Sequence, residues 1–331
     1  MKVAVQCPHC GTGYRVAEEK LGSHAHCKRC SETFTLTLSG SVDGTFTGPA
    51  KPSGAELGPT EQHAWPDESQ LPPSVSQQRT IGHYILQRKL GAGMMGEVWL
   101  AHDPELDRSV AIKLLPASFA ADEERLKRFL REARATARLD HPHVVTVYQA
   151  GTDGEHVFIV MQYINGGSLD KAVATDGPLP WREATQVIRE AAAGLSAAHE
   201  LGMVHRDVKP ANLMRSEKGI TKVVDFGLVR AEVGDSHLTQ DGRLLGTPAY
   251  MAPEQWGGKE VDARSDLYSL VCTYYYLLTA HVPFDAPTAP SLGYQHHYEL
   301  PPNPREYVEA LSDSVCRVLG RGLSKKPAQR Y

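Results

Sequence analysis

Two short runs hold a dense set of groups able to move a proton, meet a phosphate or ligate a hard cation. HRDVKPANLM places His205, Arg206, Asp207, Lys209 and Asn212 within eight residues, and VVDFGLV adds Asp225, Phe226 and Gly227. A carboxylate can accept a hydroxyl proton, a lysine can meet a transferred phosphoryl group, and an amide with a second carboxylate can hold Mg²⁺. Together these are the parts of a phosphoryl transfer. Upstream, Gly91, Gly93 and Gly96 in LGAGMMGEVW have GxGxxG spacing, which lets backbone amides approach phosphate oxygens with no side chain between. The same spacing opens dinucleotide-binding folds, but those require a helix directly after the third glycine, and EVWLA reads as a strand. Seventeen residues beyond Gly96, SVAIKLL sets Lys113 among Ala111, Ile112 and Leu114. A buried ammonium there needs an anionic partner. A surface lysine on an edge strand is the plainer reading, and its apolar neighbours argue against it.

A second chemistry occupies the first 30 residues. Cys7, Cys10, Cys27 and Cys30 form CPHC, sixteen intervening residues, then CKRC. Two such turns can place four thiolates on one tetrahedral Zn²⁺, with GTGYRV and KLGSHAH folding as short strands between them. A unit below about 40 residues generally needs a staple of this kind, and structural zinc supplies roughly 10–16 kcal/mol of apparent binding free energy. The spacing resembles the small zinc ribbons at the start of some bacterial proteins. Two redox CxxC pairs, or ligation in part by His9, His24 or His26, are the alternatives; a redox pair would want a βαβ setting that this segment lacks. Cys272 and Cys316 stand alone in apolar surroundings and read as small core residues. Clustered cysteines without a secretion signal imply a reducing compartment, so a cytoplasmic protein is expected.

The elements that must position these groups follow from composition and periodicity. The chain has 331 residues, 41% hydrophobic and 22% charged, with a formal net charge of −4. This leaves room for one large domain plus something small, and the missing basic surplus argues against generic nucleic-acid binding. Residues 39–80 carry proline and glycine with no apolar period and read as a disordered linker between a module at 1–38 and a domain at 81–331. YILQRKL, EVWLAH, SVAIKLL, VVTVYQA and HVFIVMQYI have strand character; WREATQVIREAAAGLSAAHE and SDLYSLVCTYYYLLTA have helical character. Strands followed by helices predict an α+β arrangement in two lobes. The uncharged stretch 267–284 is interrupted by tyrosines, Ser269, Thr273 and Thr279, so it predicts a buried helix and no membrane span. In DEERLKRFLREARATARL, Phe129, Glu132, Ala133 and Thr136 share one stripe, which turns Glu132 inward; Glu123 and Glu124 suit the helix dipole instead.

In order and spacing these motifs resemble the eukaryotic-like protein kinases, the bacterial Ser/Thr (Hanks-type) members in particular, over about residues 81–331. The resemblance implies a two-lobed kinase fold, a small β-rich lobe and a helical lobe, preceded by the four-cysteine zinc ribbon and linker. It implies ATP as co-substrate, with Mg²⁺. Leu90 would join the ATP-binding residues, Gly91, Gly93 and Gly96 would cover the phosphates, and Val98, Ala111 and Met214 would enclose adenine. Met161 would stand as gatekeeper before a hinge, Gln162 to Ile164, that includes Tyr163. Lys113 would hold the α and β phosphates while paired to Glu132. Asp207 would be the catalytic base, Lys209 would stabilise the transferred charge, and Asn212 and Asp225 would hold Mg²⁺.

Lys209 and GTPAYMAPE match the Ser/Thr class, with Thr247 aligned to the threonine that contacts Asp207 and Lys209. The segment AEVGDSHLTQDGRLLG predicts a mobile activation loop, and a phosphate on Thr239 or Ser236 would give Arg206 an anionic partner. Glu254 with Arg330 resembles the family's buried ion pair, and Asp266 the carboxylate that braces the catalytic loop. Val271 stands where the family has glycine, the YYY at 274–276 is unusually aromatic, and the domain stops at Tyr331, before the final helix of most relatives. Expected partners are proteins bearing Ser or Thr and a second copy of the chain, by autophosphorylation or as a homodimer. A pseudokinase scaffold is the rival reading; a small-molecule phosphotransferase is disfavoured by the GTPAYMAPE platform.

Overall fold

A computed structural model describes residues 2–6, 13–17, 24–26, 33–35, 79–93, 96–116, 122–226, 248–256 and 261–331. The chain divides into two compact units, Met1–Pro72 and Pro73–Tyr331. In the first, strand β1 (Lys2–Gln6) pairs antiparallel with β2 (Gly13–Ala17), and β3 (His24–His26) pairs antiparallel with β4 (Thr33–Thr35). The two expected strand segments between the cysteine pairs therefore both contain strands. The four cysteines themselves lie outside the described residues.

The second unit begins with an antiparallel six-stranded sheet. Its strands are β5 (Thr80–Ile81), β6 (Tyr84–Gly93), β7 (Gly96–Asp103), β8 (Arg108–Leu114), β9 (Val147–Asp153) and β10 (His156–Gln162), in spatial order β5-β6-β7-β8-β10-β9. Period-two alternation in β8 sends Val110, Ile112 and Leu114 to one face, where they meet Ile81, Tyr84, Leu86, Ala101, Phe158 and Val160. Ala111 takes the other face, with Phe129, Ala133, Ile159 and Met161. Phe129 and Ala133 come from α1 (Glu123–Thr136), whose inner stripe is the one the spacing predicts: Phe129, Ala133 and Thr136 are buried. One strand differs from expectation. VVTVYQA was expected as a strand from Val144, but Val144 and Val145 reach to Val223 of the helical lobe, so pairing in the sheet starts only at Val147. The apolar run serves the junction between the lobes before it serves the sheet.

The helical lobe is built around α5 (Ala263–Thr279), which is buried nearly all round, as its largely apolar and aromatic surface requires. Before it come α2 (Leu169–Asp176), α3 (Trp181–Glu200), the hairpin β11 (Leu213–Arg215) with β12 (Thr221–Val223), and α4 (Pro253–Trp256); after it come α6 (Ala289–Tyr298) and α7 (Asp313–Gly322). Hydroxyls inside α5 are satisfied locally: Ser269, Thr273 and Thr279 donate to the carbonyls four residues back. The three consecutive tyrosines point to three neighbours. Tyr274 meets Thr185 of α3 at 2.6 Å, Tyr275 donates to the Pro302 carbonyl at 3.2 Å, and Tyr276 packs edge-on against Tyr250. Cys272 is fully buried and Cys316 packs against the same core, as small core residues would. Among the described residues no helix is long and apolar enough to cross a membrane.

Candidate active site

The site begins with β8, the strand that brings Lys113 under the glycine hairpin. Val98 of β7 lies directly opposite Lys113, and Met161 of β10 lies opposite Ala111. Lys113 is only 3% exposed, and its Nζ sits 3.0 Å from Asp225 Oδ1. Asp225 is therefore a carboxylate that neutralises the buried cation; the family resemblance implied Glu132 in that role. Glu132 is half-buried on the inner stripe of α1 and borders a cavity of about 130 Å³ with Thr136, Met203, Arg206 and Phe226.

The glycines divide by role. Gly96 has φ +100°, and a Cβ there would run into the Leu114 carbonyl, so only glycine suits the position. At Gly91 and Gly93 a Cβ would meet nothing within 4 Å, which leaves the space over the sheet open. Leu90, Val98, Tyr163 and Met214 pack against Ala111, Met161, Ile164 and Val224 in one apolar cluster. The six apolar and aromatic residues expected to bind ATP, Leu90, Val98, Ala111, Met161, Tyr163 and Met214, thus fall in a single patch that spans both lobes.

Across the cleft, the run 205–212 is held by its own side chains and by α5. Lys209 Nζ lies 2.8 Å from Asp207 Oδ2. The Asn212 amide donates to the Asp207 carbonyl at 2.8 Å and to Asp207 Oδ2 at 3.0 Å. The loop is pinned by Asp266, fully buried in the first turn of α5. Its Oδ2 accepts from the His205 N–H and its Oδ1 from the Arg206 N–H, each at 2.8 Å. His205 Nε2 reaches the Val224 carbonyl at 2.8 Å, and its ring meets Phe226 edge-on at 4.7 Å, so the two motifs are coupled at their bases. Arg206 (φ +69°) and Asp225 (φ +65°) both adopt left-handed backbone that costs a non-glycine residue about 1–2 kcal/mol. Such conformations persist where the surroundings over-determine them, as Asp266 does for Arg206.

Two contributors carried no motif signal. The Gln255 side-chain amide donates to the Arg206 carbonyl at 3.0 Å while its oxygen accepts from the Ala252 N–H. His199, in the last turn of α3, places Nε2 2.8 Å from Asp266 Oδ2. Neither role could be read from spacing, because each depends on a contact across more than 45 residues. The expected ion pair is present: Arg330 meets Glu254 through two hydrogen bonds of 2.7 and 2.8 Å, and Ser265 Oγ donates to Glu254 at 2.6 Å. Gly227, Ser236, Thr239 and Thr247 lie outside the described residues. Hard oxygen donors from Asp225 and Asn212, beside the carboxylate of Asp207, suit Mg²⁺. The buried ammonium and open glycine hairpin suit a polyphosphate.

Comparison with known proteins agrees with this geometry. A family described as protein kinase domain matches residues 84–331. The serine/threonine-protein kinase PknB of Mycobacterium leprae is 41% identical over 264 residues, 78% of this chain and 42% of its own length. The serine/threonine-protein kinase PknL of Mycobacterium bovis is 41% identical over 248 residues, 75% of this chain and 62% of its own. The chain thus spans about two fifths to three fifths of the length of these curated relatives. The crystal structure of the Mycobacterium tuberculosis PknI kinase domain superimposes with a TM-score of 0.61 at 30% identity, covering 78% of this chain and 94% of that one.

Proposed function

The chain belongs to the protein kinase family, and on that premise we propose that it is an ATP-dependent enzyme that phosphorylates protein Ser and Thr residues, its own among them. The observation that carries this reading is the convergence of Asp207, Lys209 and Asn212 within hydrogen-bond distance, with Lys113 and Asp225 joined across the cleft. In the transfer, Asp207 accepts the proton of the substrate hydroxyl as its oxygen bonds to the γ-phosphorus. The bond from that phosphorus to the bridging oxygen breaks, and ADP leaves. Lys209 faces the charge that spreads over the transferred group, and Lys113 orients the remaining phosphates. Asp225 and Asn212 would hold Mg²⁺, which supplies neutralisation of phosphate charge when bound. Leu90, Val98, Ala111, Met161, Tyr163 and Met214 would enclose adenine, with Gly91, Gly93 and Gly96 over the phosphates.

Phosphorylation of Thr239 or Ser236 would order the loop through charge-assisted bonds. The module at 1–38 would be a zinc ribbon with four cysteine ligands. Its support is positional: Cys7 and Cys10 fall in the connection between the paired strands β1 and β2, and Cys27 and Cys30 in that between β3 and β4.

The test is incubation of the purified chain with labelled ATP, Mg²⁺ and a generic basic protein, beside Asp207→Asn. Label on Ser and Thr well above that variant is expected. No difference would favour a scaffold, and label on tyrosine would refute the specificity. The same preparation, purified without chelator, is expected to carry about one zinc per chain, and about none would reject the ribbon.

A further inference from the structure

We propose that Asp170, with the rings of Tyr250 and Tyr276, forms a subsite for an arginine side chain of the substrate protein and so sets a sequence preference around the phosphorylated Ser or Thr; this deepens the kinase reading and rests on it. Three separate elements bring the residues together. Asp170 stands in the first turn of α2, Tyr250 ends the turn Pro248–Tyr250, and Tyr276 lies in α5. The two rings meet edge-on with centroids 6.4 Å apart. Burial pushes both phenols above their ordinary range; the charge of Asp170 adds to this at Tyr276, and Tyr276, Cys272 and Asp170 add to it at Tyr250. The carboxylate is thus close enough to act on both rings. The cluster also borders the reacting groups, because α2 packs against the turn Pro210–Asn212 and Ser168, just before α2, bridges to Met214. On the other side, Gln255 ties the Ala252 N–H, just beyond Tyr250, to the Arg206 carbonyl.

The state of the carboxylate points to a ligand. Asp170 Oδ1 is shut off from water and, among the described residues, accepts no hydrogen bond. A first-turn aspartate that served only the helix dipole would keep both oxygens hydrated, since the dipole acts through space and needs no burial. Secluding a carboxylate oxygen without a donor costs free energy, and an orphaned acceptor of this kind calls for a donor supplied from outside. Lys209, the cation of the neighbouring run, is already paired with Asp207. The surroundings of the oxygen select the donor. Tyrosine faces attract a planar cation, and a carboxylate beside them adds a charge-assisted bond. A guanidinium satisfies both, whereas an ammonium is a compact, strongly hydrated charge that gives up more on leaving water.

The test uses a set of peptides with one serine acceptor, in which arginine replaces alanine at each other position in turn. With labelled ATP and Mg²⁺, kcat/KM of the wild type is expected to rise about ten- to a hundredfold when arginine occupies one particular position. That advantage should fall to about twofold or less in Asp170→Asn, and Asp170→Lys should favour glutamate at the same position instead. Tyr276→Leu should weaken the preference, and Tyr276→Phe, which keeps the ring, should retain it. A merely structural role for Asp170 would lower turnover of all peptides alike and leave the arginine-to-alanine ratio untouched. A ratio unchanged in Asp170→Asn, or a wild type indifferent to arginine at every position, would overturn the inference. Binding separates it from the kinase reading. The same arginine peptides, with alanine in place of the acceptor and a fluorophore attached, are followed by anisotropy without ATP, and one of them should bind wild type about fivefold or more tighter than Asp170→Asn. If no peptide is phosphorylated yet this difference is present, the kinase reading fails and the arginine subsite stands; equal binding sinks the subsite whatever the transfer assay shows.

Discussion

Lys113, Gly96 and Asp207 show how single residues here carry constraints of different origin. The lysine is defined by charge: an ammonium buried in a strand needs a carboxylate such as Asp225 beside it. The glycine is defined by space, since its φ of +100° and the Leu114 carbonyl leave no room for a side chain. The three glycines of the hairpin should therefore differ in stability experiments run without nucleotide. Gly96→Ala is expected to lose about 1–3 kcal/mol by thermal or denaturant unfolding, from strain plus the forced shift of β8. Gly91→Ala and Gly93→Ala, with open space around them, should stay within about 0.5 kcal/mol of wild type. Equal losses at all three would show that motif membership, and no local geometry, sets the cost.

At the scale of elements, α5 organises the helical lobe and its contacts explain the departures noted in the sequence. Val271 occupies a position where the family resemblance implied glycine, and the structure shows what faces it: Gly322 of α7 lies opposite, so close that a Cβ would collide with the Val271 side chain. The absence of a side chain on Gly322 makes room for Val271 at this contact. Gly322→Ala should then destabilise by about 1–3 kcal/mol through overpacking. In a Val271→Ala background the same change should be much milder, giving a coupling above about 0.5 kcal/mol in a double-mutant cycle. Additive effects would mean that the helices adjust independently. The tyrosine run behaves similarly: its members share no single partner, because successive helical residues are rotated by about 100° from one another.

The whole molecule adds a dependence on acid. Burial alone would raise the Glu254 carboxyl, but the hydrogen bonds from Arg330 and Ser265 outweigh it, so it titrates below the ordinary range. Its contribution is complete above the unfolded value of about 4.3 and is lost as pH falls through the folded one. His296 acts earlier. Burial, with Lys325 and His297 adding to it, pushes its pKa down to about 3, and its Nδ1 lies 2.9 Å from the Tyr268 hydroxyl. In the unfolded chain an imidazole protonates near about 6.5, so unfolding takes up a proton throughout the interval down to about 3 and stability falls as pH falls. The slope from this group approaches about 1.4 kcal/mol per pH unit. Denaturant unfolding between pH 6 and 4.5, roughly inside that window, should show a shallower decline in His296→Phe than in wild type. Parallel declines would show that His296 is not the group responsible.

Much of this was legible in the residues alone, and the reason is locality. The spacing of Asp207, Lys209 and Asn212 is short enough that one loop brings them together, and α3 spans Trp181–Glu200, the segment whose period predicts it. The inner stripe of α1 follows from 3.6 residues per turn, and the two faces of β8 from a period of two. What only the tertiary structure decided involves residues far apart in the chain with no periodic relation. The joining of Lys113 to Asp225 depends on how the sheet meets the helical lobe, and the surrender of Val144 and Val145 to Val223 depends on the same junction. His199 and Gln255 are ordinary residues on ordinary helices until Asp266 and Arg206 arrive from elsewhere. A local pattern specifies which groups are available and on which face. Burial, where water no longer competes for hydrogen bonds, decides which of them must find each other.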